Sequence, residues 1–184
     1  MSRARHEVRI GGFGGQGIVL AGTLLGKAAS LYDGREAVFT QSYGPEARGG
    51  ASRADVIIDD APVDYPYVTQ PDVVAVLFQE AYVKFAGDLR PDGLLVIEAD
   101  LVKPEPGVHA LALPATRIAE QLGRRVVANV VLLGCLVRQA QLVSRDAAEQ
   151  AIRDTVKPAM VALNLEAFAA GYDHDDGGLG AMAG

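Results

Sequence analysis

Val8-Arg9-Ile10-Gly11-Gly12-Phe13-Gly14-Gly15-Gln16-Gly17 begins as a short apolar strand and runs straight into glycine. Behind it a helical pattern extends to about Leu31. Strand, glycine turn and helix form the opening unit of an α/β fold, and Gly12 to Gly17 carry the GxGxxG spacing in the context that gives it meaning. Glycines there permit positive φ and close backbone approach, while the unpaired amides of a helix start favour an anion. A dinucleotide-binding unit also offers Asp or Glu at the end of its second strand for the ribose hydroxyls. Here Thr40 and Gln41 stand in that place, and Asp33 falls too early, in the turn. Three readings stay open: independent NAD binding, a phosphate-bearing cofactor shared with partner chains, and a purely structural turn.

Outward from this unit, Asp33-Gly34 stops the helix and Ala37 to Thr40 reads as a second strand, so that a crossover between parallel strands is expected. Gln41 to Gly50 is a loop, and Ala54 to Ile58 returns to a strand. Val73 to Phe78 and Leu94 to Ile97 are apolar without alternation, the habit of strands buried on both faces. His109 to Leu113 is a weaker sixth. Helices are predicted over 79–86, 115–122, 128–141 and 144–170, the last broken near Pro158. The fold class is α/β: an open, mostly parallel sheet of about six strands, helices on both faces, and a Rossmann-like glycine turn after the first strand. Residues 1–172 form a single domain. The tail, 173–184, is too polar and glycine-rich for a core and is expected to be disordered.

The 184 residues suffice for one core, and 49% apolar residues exclude wholesale disorder. A net charge of −6 with no basic run longer than a pair argues against a sequence-independent hold on nucleic acid. No apolar run reaches the ~18 residues of a membrane span, and Met1 to Glu7 is polar, so a cytoplasmic protein without membrane attachment is expected. The single Cys135 excludes a disulfide within the chain and a four-thiolate cluster carried by it alone; among Leu133, Gly134, Leu136 and Val137 it reads as a small buried hydrophobe. Asp173, His174 and Asp175 sit on a segment too flexible to order around a metal, so no metal ligand is assigned. Nor does any residue stand out as general acid, base or nucleophile. Val130 to Val137 offers no polar side chain beyond a thiol, and Ala159 to Ala170 only Asn164 and Glu166. One sheet cannot cover that much apolar surface, and another chain is expected over part of it.

Gln41-Ser42-Tyr43-Gly44-Pro45-Glu46-Ala47-Arg48-Gly49-Gly50 is far less generic than the first loop. In a parallel sheet its start shares the carboxyl edge of the glycine turn, where open α/β sheets bind ligands. Arg48 could clamp a carboxylate or phosphate in its planar fork and Tyr43 could stack on a ligand; equally, Arg48 could pair with Glu46 or a neighbouring subunit. Tyr43, Gly44, Arg48 and Gly49 therefore join Gly12, Gly14, Gly15, Gln16 and Gly17 as candidate cofactor-binding residues. Tyr65-Pro66-Tyr67 is a candidate contact patch by composition.

Taken together, the two loops resemble those of the gamma subunit of 2-oxoacid:ferredoxin oxidoreductases, most of all the 2-oxoglutarate type. The resemblance continues through Asn129, Asn164-Leu165-Glu166-Ala167-Phe168 and Gly171-Tyr172, covering roughly residues 7 to 172. It implies an enzyme complex that joins a 2-oxoacid to coenzyme A with loss of carbon dioxide and passes the electrons to ferredoxin. Such a complex uses thiamine diphosphate, Mg and iron-sulfur clusters. This chain has no Gly-Asp-Gly segment with a following Asn for a magnesium-bound diphosphate, and one Cys cannot anchor a cluster. Those tasks fall to companion alpha and beta catalytic subunits and a ferredoxin-like delta subunit. The role left is an accessory one, covering the catalytic pair and helping to hold coenzyme A through Arg48 and the amides of Gly14 to Gly17. A free-standing nucleotide-binding module is the alternative.

Overall fold

Gly11 and Gly12 remain in extended backbone, so the first strand, β1 (His6–Phe13), outlasts its apolar run and the turn begins only after Phe13. The computed structural model describes residues 5–42 and 50–175. β1 is followed by α1 (Ile18–Lys27), which continues into a π-helical turn, Ala28–Tyr32. Then come β2 (Glu36–Ser42), β3 (Ala51–Asp59), β4 (Val73–Val76), α2 (Gln79–Phe85), β5 (Leu94–Glu98), β6 (Leu111–Leu113), α3 (Ala115–Gln121) and α4 (Ala128–Ala140). The long helical stretch expected over 144–170 divides at Pro158, as its ring requires, into α5 (Arg145–Thr155), a short 3-10 turn and α6 (Val161–Tyr172). Ser144 caps α5 by accepting from Ala147 N at 3.1 Å. Among the described residues no helix is long and apolar enough to cross a membrane.

The six strands lie in the order β2-β3-β1-β4-β5-β6. β1, β4, β5 and β6 pair in parallel; β3 runs antiparallel to both its neighbours, β1 and β2. The first crossover does join two strands of the same direction, but they are not adjacent. β3 is wedged between them, because residues 43–50 are fewer than the dozen or so that a parallel return needs, and the chain folds straight back instead. This displaces β2 to the sheet edge.

The two faces are covered unequally. α1 and α3 to α6 pack over Val8, Ile10, Val56, Ala75 and Val96, while α2 sets Ala81, Tyr82 and Phe85, with Val102 of a later loop, against Val74, Val76, Leu95 and Ile97 of the other face. The crowded side corrects one expectation. Every side chain of α4 from Val130 to Val137 is at most 2% exposed, so its apolar girth is buried within this chain and needs no second one. Helices stacked two deep on one face, instead of spread over both, provide the cover. Cys135 is buried there, as expected.

α6 reaches α4 at backbone distance. A Cβ built on Gly134 would stand 2.1 Å from the Phe168 carbonyl oxygen, and one on Gly171 would stand 1.8 Å from the Val131 carbonyl oxygen. Residual apolar exposure lies elsewhere: Phe13 at the end of β1, Leu31 in the π turn, Val83 on α2, Val108 ahead of β6, Val126 ahead of α4, and the edge-on pair Tyr65 and Tyr67.

On the α2 face, β1 and β3 carry a buried ion network. Arg9, 3% exposed, donates from Nε and Nη2 to the two carboxylate oxygens of Asp55 at 2.9 and 3.0 Å, from Nη2 to the Val68 carbonyl at 3.0 Å, and from Nη1 to Asp88. Burial works against its charge, but the hydrogen bonds and charge of Asp55, aided by Asp88, outweigh it and hold the guanidinium above its ordinary pKa.

Candidate functional site

The glycine turn is held by one of its own residues. Gln16 N–H closes the turn on the Phe13 carbonyl at 3.1 Å, its Oε1 accepts from Phe13 N at 2.6 Å, and its Nε2 donates to the Leu77 carbonyl at 3.1 Å. The carboxamide thus staples the loop to the end of β4. Gly12 makes room for it: a Cβ there would meet Gln16 Oε1 and Ile18 Cγ2 at 2.8 Å. Gly15 and Gly17 adopt φ of 93° and 73°, where a side chain is strained. Gln16→Leu is expected to lower stability by about 1–2 kcal/mol and to speed hydrogen exchange at the Phe13 amide, measured by denaturation and NMR. Exchange at the parent rate would show that the staple does not hold the turn.

Beside the loop lies a cleft of about 250 Å³ walled by Gly15, Gln16 and Leu77 on one side and by Thr116, Arg125, Val126 and Ala128 on the other. Two helix starts converge on it. α1 follows Gly17, and α4 begins at Ala128; neither has a side-chain cap or an acidic residue in its first turn. The free amides at the start of α1 and the positive ends of the two helix dipoles favour an anion; ahead of α4 the 3-10 turn Arg125–Val127 already ties the Ala128 N–H to the Arg125 carbonyl. Arg125 adds a full charge; it is well exposed, and its one carboxylate neighbour among the described residues, Glu120, is distant at 3.9 Å. Arg117, next to Thr116, is committed instead to Asp100, whose hydrogen bonds raise its pKa. Glu98, fully buried at the end of β5, accepts from Thr116 N at 2.9 Å and Thr116 Oγ1 at 3.0 Å and so fixes that wall.

Of the residues expected at the site, Gly15 and Gln16 line the cleft, and Gly12 and Gly17 shape its loop, with the Gln16 carboxamide engaged by the loop itself. Gly14 has no atom near the place a Cβ would occupy. Tyr43, Gly44, Arg48 and Gly49 lie outside the described residues. The residues that flank them do not: Ser42 pairs with Arg53, which pairs with Gly11, and Ala51 pairs with Phe13, so Ser42 and Ala51 both stand at the rim of the glycine loop. Sequence reasoning missed Thr116, Arg125 and Ala128. The signal was present in Arg124-Arg125 just ahead of an apolar helix without an acidic first turn. As for dinucleotide binding, the strand beside β1 on the β2 side is the antiparallel β3, so the place of the ribose carboxylate is moved away along with β2.

A second groove, of about 270 Å³, opens on the far side of Val126. It runs between Leu20 of α1 and the segment from Thr155 to Met160, with Asn129 and Asn164 also lining it. Asn129 donates from Nδ2 to the Gly17 carbonyl at 2.9 Å, tying α4 to the glycine turn. Its Oδ1 is buried and, among the described residues, has no hydrogen-bond partner. An acceptor in that state costs about 1–3 kcal/mol.

The family described as Pyruvate ferredoxin/flavodoxin oxidoreductase matches residues 7–174. The chain is 48% identical over 176 residues to the 2-oxoglutarate synthase subunit KorC of Methanocaldococcus jannaschii, covering 93% of this chain and 94% of that protein. To the KorC subunit of Methanothermobacter thermautotrophicus it is 49% identical over 182 residues, covering 94% and 96%. A solved structure, the keto/oxoacid ferredoxin oxidoreductase gamma subunit from Geobacter sulfurreducens, superposes with a TM-score of 0.84 at 44% identity, covering 92% of this chain and 95% of that one. With the match running from β1 to the end of α6, the chain belongs to the pyruvate ferredoxin/flavodoxin oxidoreductase family.

Proposed function

We propose that this chain is the accessory gamma subunit of a 2-oxoacid:ferredoxin oxidoreductase, of the type that converts 2-oxoglutarate and coenzyme A to succinyl-coenzyme A and carbon dioxide while reducing ferredoxin. The observation that carries this reading is near-complete coverage of, and by, KorC subunits at about half identity. Catalysis belongs to the complex. The only Cys is buried in α4, so its thiol is not placed to ligate a cluster at the surface, and iron-sulfur clusters, like thiamine diphosphate and Mg, are assigned to companion alpha and beta subunits, with a ferredoxin-like delta subunit for electron exit. The cytoplasm is the compartment that suits such a complex.

What this chain can offer is an anion cradle. Coenzyme A carries phosphates, and the cleft beside the glycine loop combines the uncapped start of α1 and the positive end of the α4 dipole with the Arg125 guanidinium. Arg48, on the segment between Ser42 and Ala51, is the second cation proposed for it. Either Arg125→Ala or Arg48→Ala in the assembled enzyme is expected to raise the KM for coenzyme A about tenfold with little change in the KM for the 2-oxoacid. Normal assembly with an unchanged coenzyme A KM in both variants would remove the cradle from the proposal. Isolating the native complex tests the larger reading: thiamine- and cluster-bearing chains should come with this one.

A further inference from the structure

The groove beyond Val126 does not belong to the anion cradle, and its chemistry is different. Its walls are mainly apolar, from Leu20, Val126, Val127 and Met160. The polar groups along it are mostly engaged: Thr155 Oγ1 accepts from Lys27 at 3.0 Å, and Asn164 Nδ2 donates to the Met160 carbonyl at 2.8 Å. Two are not. Asn129 Oδ1 lacks a donor, and Lys157, exposed at the mouth, has no ion pair among the described residues. Native proteins seldom leave a buried acceptor unmatched, so a donor is owed to Asn129. An exposed cation at the mouth of the groove is complementary to a carboxylate brought by another chain. Val126, 60% exposed between groove and cleft, adds apolar area that water gains nothing by touching.

We propose that this groove seats an extended segment of a catalytic partner subunit. The segment supplies an apolar side chain to the floor, a carboxylate to Lys157, and an N–H to Asn129 Oδ1. That oxygen is closed to solvent in the free chain, so its donor enters with the segment as the groove wall repacks. An acidic peptide with one apolar anchor satisfies all three demands at once; a second copy of this chain would have to bring its carboxylate to the same Lys157. The consequence is functional. Asn129 also holds the Gly17 carbonyl, so a partner seated here touches the residue that braces the glycine turn, and docking and cradle geometry are linked through one carboxamide.

This inference rests on the chain being a subunit, and the experiment separates the two claims. The chain is titrated with the catalytic subunits of its complex, stripped of it, and the dissociation constant is read by sedimentation or interferometry. Binding by the parent chain upholds the subunit reading; absence of binding sinks that reading and the groove with it. Lys157→Glu and Val126→Asp, both at exposed positions, are each expected to weaken binding about tenfold or more. Val83→Asp on α2, across the sheet, is expected to leave it within about twofold. Melting curves establish that each variant folds. If the parent binds and both groove variants bind as tightly, or Val83→Asp weakens binding equally, the groove is not the docking site. A change in self-association alone would overturn the proposal in favour of a second copy. In the parent, a shift of the Asn129 side-chain amide resonance on addition of partner supports the missing donor, and an unmoved resonance at saturation counts against it.

Discussion

Gly171→Ala is expected to cost about 3 kcal/mol or more, enough to abolish folding of a marginal domain near 37 °C. The added carbon would lie 1.8 Å from the Val131 carbonyl oxygen and 2.7 Å from its carbon, both backbone atoms within the buried run of α4. Nothing flexible can turn aside, so α6 must lift from α4, and overpacking of this kind exceeds the ~1 kcal/mol that alanine gains over glycine in helix propensity. Gly134→Ala meets the Phe168 carbonyl oxygen at 2.1 Å and should behave alike. Gly26→Ala is the contrast. It too is a buried helical glycine, but an added carbon there would approach only the Phe39 Cβ, at 4.0 Å, an ordinary contact, so the same substitution should stabilise by about 0.5–1 kcal/mol. Urea denaturation of the three variants checks both signs; equal effects at Gly171 and Gly26 would mean that α4 and α6 do not meet at backbone distance.

Arg9→Met should destabilise by about 3–5 kcal/mol. The substitution leaves the Asp55 carboxylate, 3% exposed, without the two guanidinium bonds that compensate its burial, and Arg53 at 3.5 Å is too distant to replace them. Removing both charges, as Arg9→Met with Asp55→Leu, should recover a large part of the loss, because an apolar pair of similar size carries no desolvation penalty. A double-mutant cycle by chemical denaturation measures this coupling. Strict additivity of the two single costs would show that the pair does not act as a unit.

The parts of this fold that sequence made visible are those governed by local chemistry. Pro158 had to divide the last helical stretch, Ser144 suited the start of its first half, and the unalternating Val73 to Val76 and Leu94 to Ile97 had to be interior strands. Invisible locally was the direction of β3. Its run of buried residues reads the same whichever way it points, and only the length of the preceding link speaks to it. The second miss had a similar cause. The apolar stretch of α4 reads as surplus surface when each helix is set against a sheet, but the small residues that let α6 close over it, Gly134 and Gly171, lie 37 positions apart, and no short window links them. At the candidate site, the glycine turn was legible because its spacing is contiguous. Thr116, Arg125 and Ala128 reach the same cleft from a distant part of the chain by way of β5, β6 and α3, a convergence that tertiary packing alone creates.

The sheet ends differently at its two margins. β6 closes one side with three residues, too few backbone groups to recruit another chain, whereas β2 closes the other with seven and, among the described residues, pairs on its inner side only. A long open margin of that kind is a template for strand addition. Overproduced without its companions, the protein should therefore reach its solubility limit by lateral stacking at β2, and co-production with whatever shields that margin is the practical remedy.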